Sequence, residues 1–169
     1  MKDHKTINKI LNSLEDWSDE DKNIMLEGRI LMDYHREIEM HAETLDSRFG
    51  VPLTHIYILE ILYCHPENQL TPAELADEIH MTRSTMTGNL DSMQHKGLIK
   101  RKSHPSDRRM TLITITEQGV EFLKKTIPVK FSDMLKVMKT LTPDERKTMV
   151  NVYRKLLTTI KEIAMEGIN

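Results

Sequence analysis

The chain has 169 residues, 38% of them hydrophobic and 30% charged, with a formal net charge of −2, which predicts one domain or two small ones with much solvated surface. Its single cysteine excludes an internal disulfide framework, and no apolar run is long enough to span a membrane. The N-terminus lacks the apolar core of a signal peptide, so we expect a cytoplasmic protein with no membrane partner.

The first third of the chain predicts three helices. Apolar residues at helical spacing indicate a short helix over residues 7–14, and Ser18 is the capping residue of a long helix over about residues 19–49. A third helix is predicted over Leu53–Cys64. Along the long helix, apolar residues repeat every seven positions, which favours packing against another helix. The repeating residues are Ile24, Leu31, Ile38 and Leu45.

The middle of the chain has the pattern of two helices joined by a short turn. Thr71 and Glu74 form a capping box at the start of the first helix. Thr82 caps the second, which begins at Arg83 and ends at Gly97 in a left-handed cap. Two helices joined by so short a turn are held at a steep angle, and the second can lie in a major groove of DNA. The residues that face inward from the second helix are Met86, Leu90 and Met93.

A β-hairpin with a basic tip follows the second helix directly. Strands are predicted over residues 98–102 and 110–115, and the residues between them are typical of a turn. The cations at the tip make it a probe for phosphate or for the minor groove. Asp107 is predicted to hold Arg101 or Arg109 in a bidentate ion pair. Helices and hairpin together predict a winged helix-turn-helix, which reads duplex DNA.

The charge distribution supports that interpretation. Residues 83–109 carry seven Lys or Arg and two acidic residues, a net charge of +5. Residues 1–50 carry seven basic and twelve acidic residues, a net charge of −5. An acidic chain with one basic segment indicates a focused electrostatic surface for nucleic acid.

Two more helices are predicted after the hairpin. Thr116 caps the first, and Pro128 is expected to kink or break it. Residues 142–145 repeat the capping arrangement of Thr71 at the start of the last helix. The apolar positions are too many for the small core that the terminal helices can form alone, so we expect a helical dimer interface. These positions are Val120, Leu123, Ile127, Phe131, Leu135 and Met138, followed by Met149, Val152, Leu156, Ile160 and Ile163.

We therefore expect a mainly α fold with a small two- to three-stranded antiparallel wing. Residues 51–116 are predicted to form the winged helix-turn-helix DNA-binding domain, and residues 1–50 and 117–169 a helical dimerisation region. The predicted partners are double-stranded DNA and a second copy of the chain. Two DNA-binding heads about 34 Å apart would address two half-sites of a near-palindrome.

On these features the chain resembles the MarR family of bacterial transcription regulators over roughly residues 20–165. The residues that carry the resemblance are Leu75-Ala76, Arg83 to Leu90, Gly97-Leu98-Ile99, Arg101, Asp107-Arg108-Arg109, and Thr116 with Gly119. The resemblance implies a homodimer with interlocked terminal helices, acting as a repressor that a small ligand, an oxidant or a metal releases. Residues 1–18 extend beyond what the family commonly has, and a helix at the dimer interface is the simplest role for them.

The resemblance also implies how DNA is bound. The helix from Arg83 would enter the major groove and the hairpin the minor groove, with Arg109 as the minor-groove residue and Arg108 near phosphate. Asp107 and Arg101 would brace the hairpin. The predicted DNA-binding residues are Thr82, Arg83, Ser84, Thr85, Thr87, Asn89, Arg101, Lys102, His104, Ser106, Asp107, Arg108 and Arg109.

A small-molecule pocket is the signal site that the resemblance favours. It would lie where the long helix, the helix from Leu53 and the helix after the hairpin meet. Its predicted lining residues are Tyr34, His35, Ile38, His55 and Leu59, and each of them can equally be a core residue.

Redox and metal sensing are the alternatives within the family. Cys64 is interpreted as a small buried hydrophobe rather than a redox switch. His35 and Glu39 are four residues apart, as are Glu37 and His41, so each pair can meet on one helix face. Zinc prefers three or four ligands, often with thiolate, and the cluster holds neither a cysteine nor an HxxxH motif. No metal or other cofactor is therefore predicted.

Two other function classes are weaker. The chain has no glycine-rich phosphate loop, nucleophile elbow or zinc-hydrolase motif, so no enzyme is predicted. A helical protein-interaction adaptor without DNA binding accounts for the apolar terminal helices. It does not account for arginines on a hairpin beside a hydroxyl-rich helix.

Overall fold

The computed structural model describes residues 5–103, 107 and 109–166, with side-chain exposure from residue 7 onward. The elements in chain order are α1 (Lys5–Asn12), α2 (Asp19–Asp46) followed by a 3₁₀ turn (Ser47–Phe49), α3 (Leu53–Cys64), β1 (Gln69–Leu70), α4 (Pro72–Glu78), α5 (Arg83–His95), β2 (Ile99–Ser103), β3 (Thr111–Ile115), α6 (Glu117–Met138) and α7 (Pro143–Glu166). The predicted mainly α fold with a small antiparallel sheet is confirmed. No described helix combines the length and apolarity that a membrane crossing needs.

The chain divides into two compact units, residues 1–56 and 57–169. In the first unit, the hydroxyl of Ser18 accepts the amide of Asp21 at 3.0 Å and caps α2, as predicted. The α-helix ends at Asp46, three residues before the predicted end, and a 3₁₀ turn continues to Gly50, which has a left-handed φ of 70°. No residue of α2 is buried. Its seven-residue apolar repeat therefore lies exposed on the chain.

The second unit contains the sheet, whose strand order is β1-β3-β2 and fully antiparallel. β2 and β3 form the predicted hairpin, with Ile99 opposite Ile115 and Ser103 opposite Thr111. Each strand begins one residue later than predicted. The two-residue β1 pairs with β3 through Gln69 opposite Thr114 and adds a third strand.

The core of the second unit is built around α5. Met86, Leu90 and Met93 are all fully buried, which confirms the predicted inward face. Leu75 and Ala76 of α4 are buried as well, and α5 packs on both α4 and β2. Burying one face of α5 in this way turns its other face outward.

The structure differs from two local predictions. Pro128 was expected to kink or break the helix after the hairpin, but α6 is not broken there and continues through Pro128 to Met138. Proline removes one backbone hydrogen bond, and the turn beyond it is held by Lys130, whose Nζ lies 3.0 Å from Oε1 of Glu60 and 4.3 Å from the ring centre of Tyr57. Cys64 is exposed rather than buried, because Leu62 takes the inward position at this end of α3.

Candidate nucleic-acid interface

The turn between α4 and α5 is set by backbone geometry. The capping box of α4 is present: Glu74 Oε2 accepts the amide of Thr71 at 2.8 Å, and Thr71 Oγ1 accepts the amide of Glu74 at 3.2 Å. After α4, His80 adopts a left-handed φ of 57°, and the amide of Met81 donates to the carbonyl of Ala76 at 2.8 Å. This reversal brings the chain into α5 within a few residues.

Hydroxyl groups cluster at the N-terminus of α5. Thr82 Oγ1 accepts the amide of Thr85 at 3.2 Å and also lies within hydrogen-bond distance of the hydroxyls of Ser84 and Thr85, at 3.1 and 2.8 Å. These contacts fix three short polar side chains at the end of the helix where amide groups point outward. A phosphate or a base edge is favoured at such an end because the amides and the helix dipole attract negative charge.

The outward face of α5 continues with exposed polar residues. Arg83, Ser84, Thr85 and Thr87 are exposed, and Asn89 is partly exposed. Thr87 donates its hydroxyl to the carbonyl of Arg83 at 2.9 Å, and Asn89 Nδ2 donates to the carbonyl of Thr85 at 2.9 Å. Thr87 therefore offers its oxygen lone pairs and its methyl group outward, and Asn89 must release a helix carbonyl before both its donors can reach a base.

Arg101 ties the hairpin to α5. Its Nη2 lies 2.7 Å from Oδ1 of Asp91 and its Nη1 lies 2.5 Å from Oε1 of Gln94. Arg101, one of the two arginines predicted to pair with Asp107, lies at the middle of β2 and pairs with the last turns of α5 instead. The residues that hold Arg101 in place are therefore Asp91 and Gln94 of α5, and neither was predicted from the sequence. Asp91 is the only acidic residue of α5, and that was the available signal.

The hairpin presents several cations. Lys100, Lys102 and Arg109 are exposed. Asp107 Oδ1 accepts the backbone amide of Arg109 at 2.9 Å, so the link between these two residues runs through the main chain and is not the predicted bidentate pair. The remaining predicted contacts, His104, Ser106 and Arg108, lie outside the described residues.

The base of the hairpin is locked to α6. Thr116 Oγ1 donates to the carbonyls of Gly97 and Leu98, at 2.7 and 3.0 Å, and accepts the amide of Gly119 at 3.0 Å. A Cβ at Gly119 would lie 2.2 Å from the Leu98 carbonyl oxygen, so only glycine permits this contact. Gly97 has the predicted left-handed conformation, with φ of 71°. Hairpin and α5 are therefore fixed to one scaffold.

The residues predicted to line a ligand pocket have unlike environments. His55 and Leu59 on α3 are almost fully buried, whereas Tyr34 and Ile38 on α2 are 56% and 67% exposed. His35 is partly exposed, and its Nε2 lies 3.3 Å from Oε1 of Glu39. The pocket itself stays a prediction.

The histidine pairs considered for metal binding are local helix contacts. His41 Nδ1 donates to the main-chain carbonyl of Glu37, one turn earlier on α2, at 2.7 Å. Across the part of the chain that the structure describes, no three His, Cys, Asp or Glu side chains come together as a metal-binding group.

Two helices joined by a tight turn, an outward hydroxyl-rich face on the second helix and a cationic hairpin fixed beside it define the winged helix-turn-helix class of DNA-binding proteins. Residues 49–110 match the model of the MarR family. Over 126 residues the chain is 32% identical to the HTH-type transcriptional repressor YetL of Bacillus subtilis, covering 75% of each protein. The chain belongs to the MarR family, and it is a transcriptional regulator rather than an enzyme.

Solved structures share the fold. AbsC, a MarR family transcriptional regulator from Streptomyces coelicolor, superposes with a TM-score of 0.75 at 18% identity, over 86% of this chain and 98% of that one. Sco3205, a MarR family regulator from the same organism in complex with DNA, superposes with a TM-score of 0.74 at 24% identity, over 86% of this chain and 91% of that one.

Proposed function

We propose that the protein is a homodimeric repressor that binds a near-palindromic operator and is released by a small molecule. The observation that carries the DNA-binding part is the division of α5 into two faces. Met86, Leu90 and Met93 are buried, while Arg83, Ser84, Thr85 and Thr87 point outward. A helix held so firmly on one side presents its other side with little loss of conformational freedom on binding.

In this proposal α5 enters the major groove and the β2–β3 hairpin enters the minor groove. The short hydroxyl side chains of Ser84, Thr85 and Thr87 can read base edges, and Arg83 can reach guanine or phosphate. Arg109 at the hairpin tip is the proposed minor-groove residue, where a cation is attracted by the negative potential. Related proteins named as repressors, among them YetL, support the direction of regulation.

The experiment is an in vitro selection of duplex DNA on the purified protein, followed by gel-shift titration of the selected duplex and of the DNA upstream of the protein's own gene. A scrambled duplex of equal length serves as competitor. We expect a near-palindromic selected sequence, specific affinity in the nanomolar range typical of such regulators, and a steep fall in affinity with salt because phosphate contacts release counterions. If no DNA sequence is enriched and the affinity for DNA does not change with salt concentration, the result supports the alternative of a protein-interaction adaptor.

Arg109 gives the sharpest test of the hairpin assignment. We expect Arg109→Ala to weaken specific binding by about tenfold or more, since one good base or groove contact contributes about 1–3 kcal/mol. Arg36→Ala removes an equal charge from α2, where Arg36 pairs with Asp33 at 2.8 Å, and serves as the control. If both variants bind as tightly as the parent, the minor-groove role of Arg109 is wrong.

The dimer proposal rests on the terminal helices. No residue of α7 is buried, and its apolar side chains are exposed, with Ile160 at 58% and Ile163 at 62%. The apolar repeat of α2 is exposed too. Exposed apolar side chains along two long helices are characteristic of a protein–protein interface. We therefore propose residues 1–50 and 117–169 as the dimerisation region around a DNA-binding domain of residues 51–116.

Sedimentation tests that proposal. We expect the parent to sediment as a dimer and Ile160→Asp to shift it towards monomer, because a buried unpaired carboxylate opposes association. Lys161→Asp, at the adjacent position, reverses a charge on the same turn and serves as the control. A parent that stays monomeric at micromolar concentration would contradict the dimer.

The proposed ligand site is formed by Tyr34, His35, Ile38, His55 and Leu59. The buried imidazole of His55 supports a polar contact there, because few polar side chains of the described chain are so fully enclosed. A panel of phenols, oxidants and zinc is to be titrated into the protein–operator complex. We expect phenols to release DNA and His55→Phe to abolish that release; release by zinc or peroxide alone would favour the metal- or redox-responsive alternative.

A further inference from the structure

Gly88 occupies the outermost point of α5. It lies two residues after Met86 and two before Leu90, so it is about 200° around the helix from each of these buried side chains. It is exposed, and Ser84 precedes it by one turn on the same outward line. The outermost position in this turn of α5 therefore carries no side chain.

Within the part of the chain that the structure describes, no contact explains a glycine at this position. A Cβ at Gly88 would meet no atom of that part within 4 Å, and its backbone is helical rather than left-handed. Glycine inside a helix lowers stability relative to alanine because its backbone loses more conformational freedom on folding. At Gly119, by contrast, packing against the Leu98 carbonyl requires the missing side chain.

The side chains beside Gly88 indicate how closely α5 must approach DNA. Thr85 and Thr87 flank it, and their hydroxyl-bearing side chains are too short to reach far beyond the helix surface. An α-helix with side chains measures about 10–12 Å across, close to the major-groove width of about 12 Å. Short side chains can touch base edges only if the helix backbone comes close to the groove floor.

We propose that Gly88 is a positioning residue that sets the depth of α5 in the major groove, and thereby the sequence specificity of the protein. This inference rests on the proposed DNA-binding function. With no side chain at its outermost point, α5 can seat its backbone against the base edges, and Ser84 and Thr87 then come within hydrogen-bond range of them. A side chain at Gly88 holds the helix away and withdraws both hydroxyls.

The test uses Gly88→Ala and Gly88→Leu in the full-length protein. Thermal unfolding, oligomeric state and affinity are measured for each, the affinity with the duplex selected on the parent and with an unselected duplex of equal length. Ser92→Ala, an exposed position one turn later on α5, is the control that raises helix propensity without filling the outermost point.

We expect Gly88→Ala to raise the melting temperature by about 2 °C, as helix propensity dictates, while weakening specific binding about tenfold. Gly88→Leu should weaken it about a hundredfold, since overfilling a close contact is increasingly unfavourable. Affinity for the unselected duplex should stay within about threefold because the phosphate contacts remain. The control should gain stability and keep its specific affinity within about twofold.

The outcomes separate two failures. If the in vitro selection on the parent protein enriches no DNA sequence, the DNA-binding proposal is wrong, and the proposed role of Gly88 is wrong as well. If the parent selects a sequence and both Gly88 variants bind it as tightly as the parent, the depth proposal is wrong and the DNA-binding proposal stands. Equal losses on selected and unselected DNA would also overturn it, because they indicate a general defect. Should Gly88→Leu fail to fold, Gly88→Ala decides alone.

Discussion

α5 and α7 are both amphipathic helices, but the chain buries the apolar residues of only one of them. In α5, Met86, Leu90 and Met93 are fully buried against α4 and β2. In α7, which is almost twice as long, no residue is buried. The apolar face of α5 is therefore buried within the chain, whereas the apolar face of α7 is exposed.

This difference separates two kinds of surface. The outward face of α5 is polar, and its exposure needs no further explanation because the apolar face has its partner already. The exposed face of α7 is apolar, and leaving it in water opposes folding of an isolated chain. The first is suited to a charged, hydrated ligand such as DNA, and the second to a second copy of the chain.

The largest expected effect tests that contrast directly. Leu90→Ala should reduce the free energy of unfolding by about 2–5 kcal/mol at any protein concentration, because it leaves a cavity in the core. Ile160→Ala should reduce the free energy of unfolding clearly less than Leu90→Ala does when the protein is diluted to monomer. Its effect should be larger in the dimer. Urea unfolding above and below the dissociation range measures both. Losses for Ile160→Ala that equal those for Leu90→Ala in the monomer would mean that α7 is covered within its own chain.

The next largest effect concerns how α6 meets the hairpin. Gly119→Ala should lower the free energy of unfolding by about 3 kcal/mol, because the new Cβ would lie 2.2 Å from the Leu98 carbonyl oxygen. The identical substitution at Gly88, where open space surrounds the position, should stabilise the protein slightly. Denaturant midpoints of the two variants measure this difference. Equal midpoints would show that the backbone at Leu98 shifts to accommodate the new Cβ without loss of stability.

A smaller effect is expected at the brace between hairpin and α5. Arg101→Ala should change stability by only about 1 kcal/mol, because Asp91, its partner in the ion pair, is exposed to solvent. It should nevertheless weaken specific DNA binding about tenfold by loosening the hairpin. Lys100→Ala removes the same charge from the neighbouring position, and we expect it to weaken binding only about threefold while flattening the salt dependence. Indistinguishable salt slopes and affinities for the two variants would indicate that Arg101 acts only through its charge.

The smallest effect is expected at the exposed capping box of α7. Hydrogen bonds from the amide and hydroxyl of Thr142 hold the pKa of Glu145 below its ordinary value of 4.5. A lowered pKa in the folded state means that the stabilisation is complete above pH 4.5 and is lost as the pH falls through the lowered value. Glu145→Gln should therefore lower the melting temperature slightly at pH 7 and not at pH 3. Glu162→Gln on the same helix is the control, and a difference that persists in acid would contradict the cap.

Features that depend on near neighbours in the chain were predictable. The capping residues Ser18, Thr71, Thr82 and Thr116 were identified correctly, because a cap joins a side chain to an amide about three residues away. The inward face of α5 follows from helical periodicity in the same way. The outward polar face of α5, which we propose binds DNA, is the complement of that inward face.

Features that depend on distant residues were not. Arg101 meets Asp91, ten residues earlier, and that choice is made by the packing of β2 on α5. The exposure of Cys64 depends on which side of α3 faces the core, and β1 exists only because β3 offers it an edge.

The sequence by itself thus determined the helices, their caps, the hairpin and the polar character of the outward face of α5, because each depends on residues a few positions apart. Only the tertiary structure decided which apolar faces are buried within the chain, which residues pair with Arg101 and which glycine is required by packing. Those outcomes arise from contacts between segments far apart in sequence, where side-chain volume and geometry, rather than periodicity, select the partner.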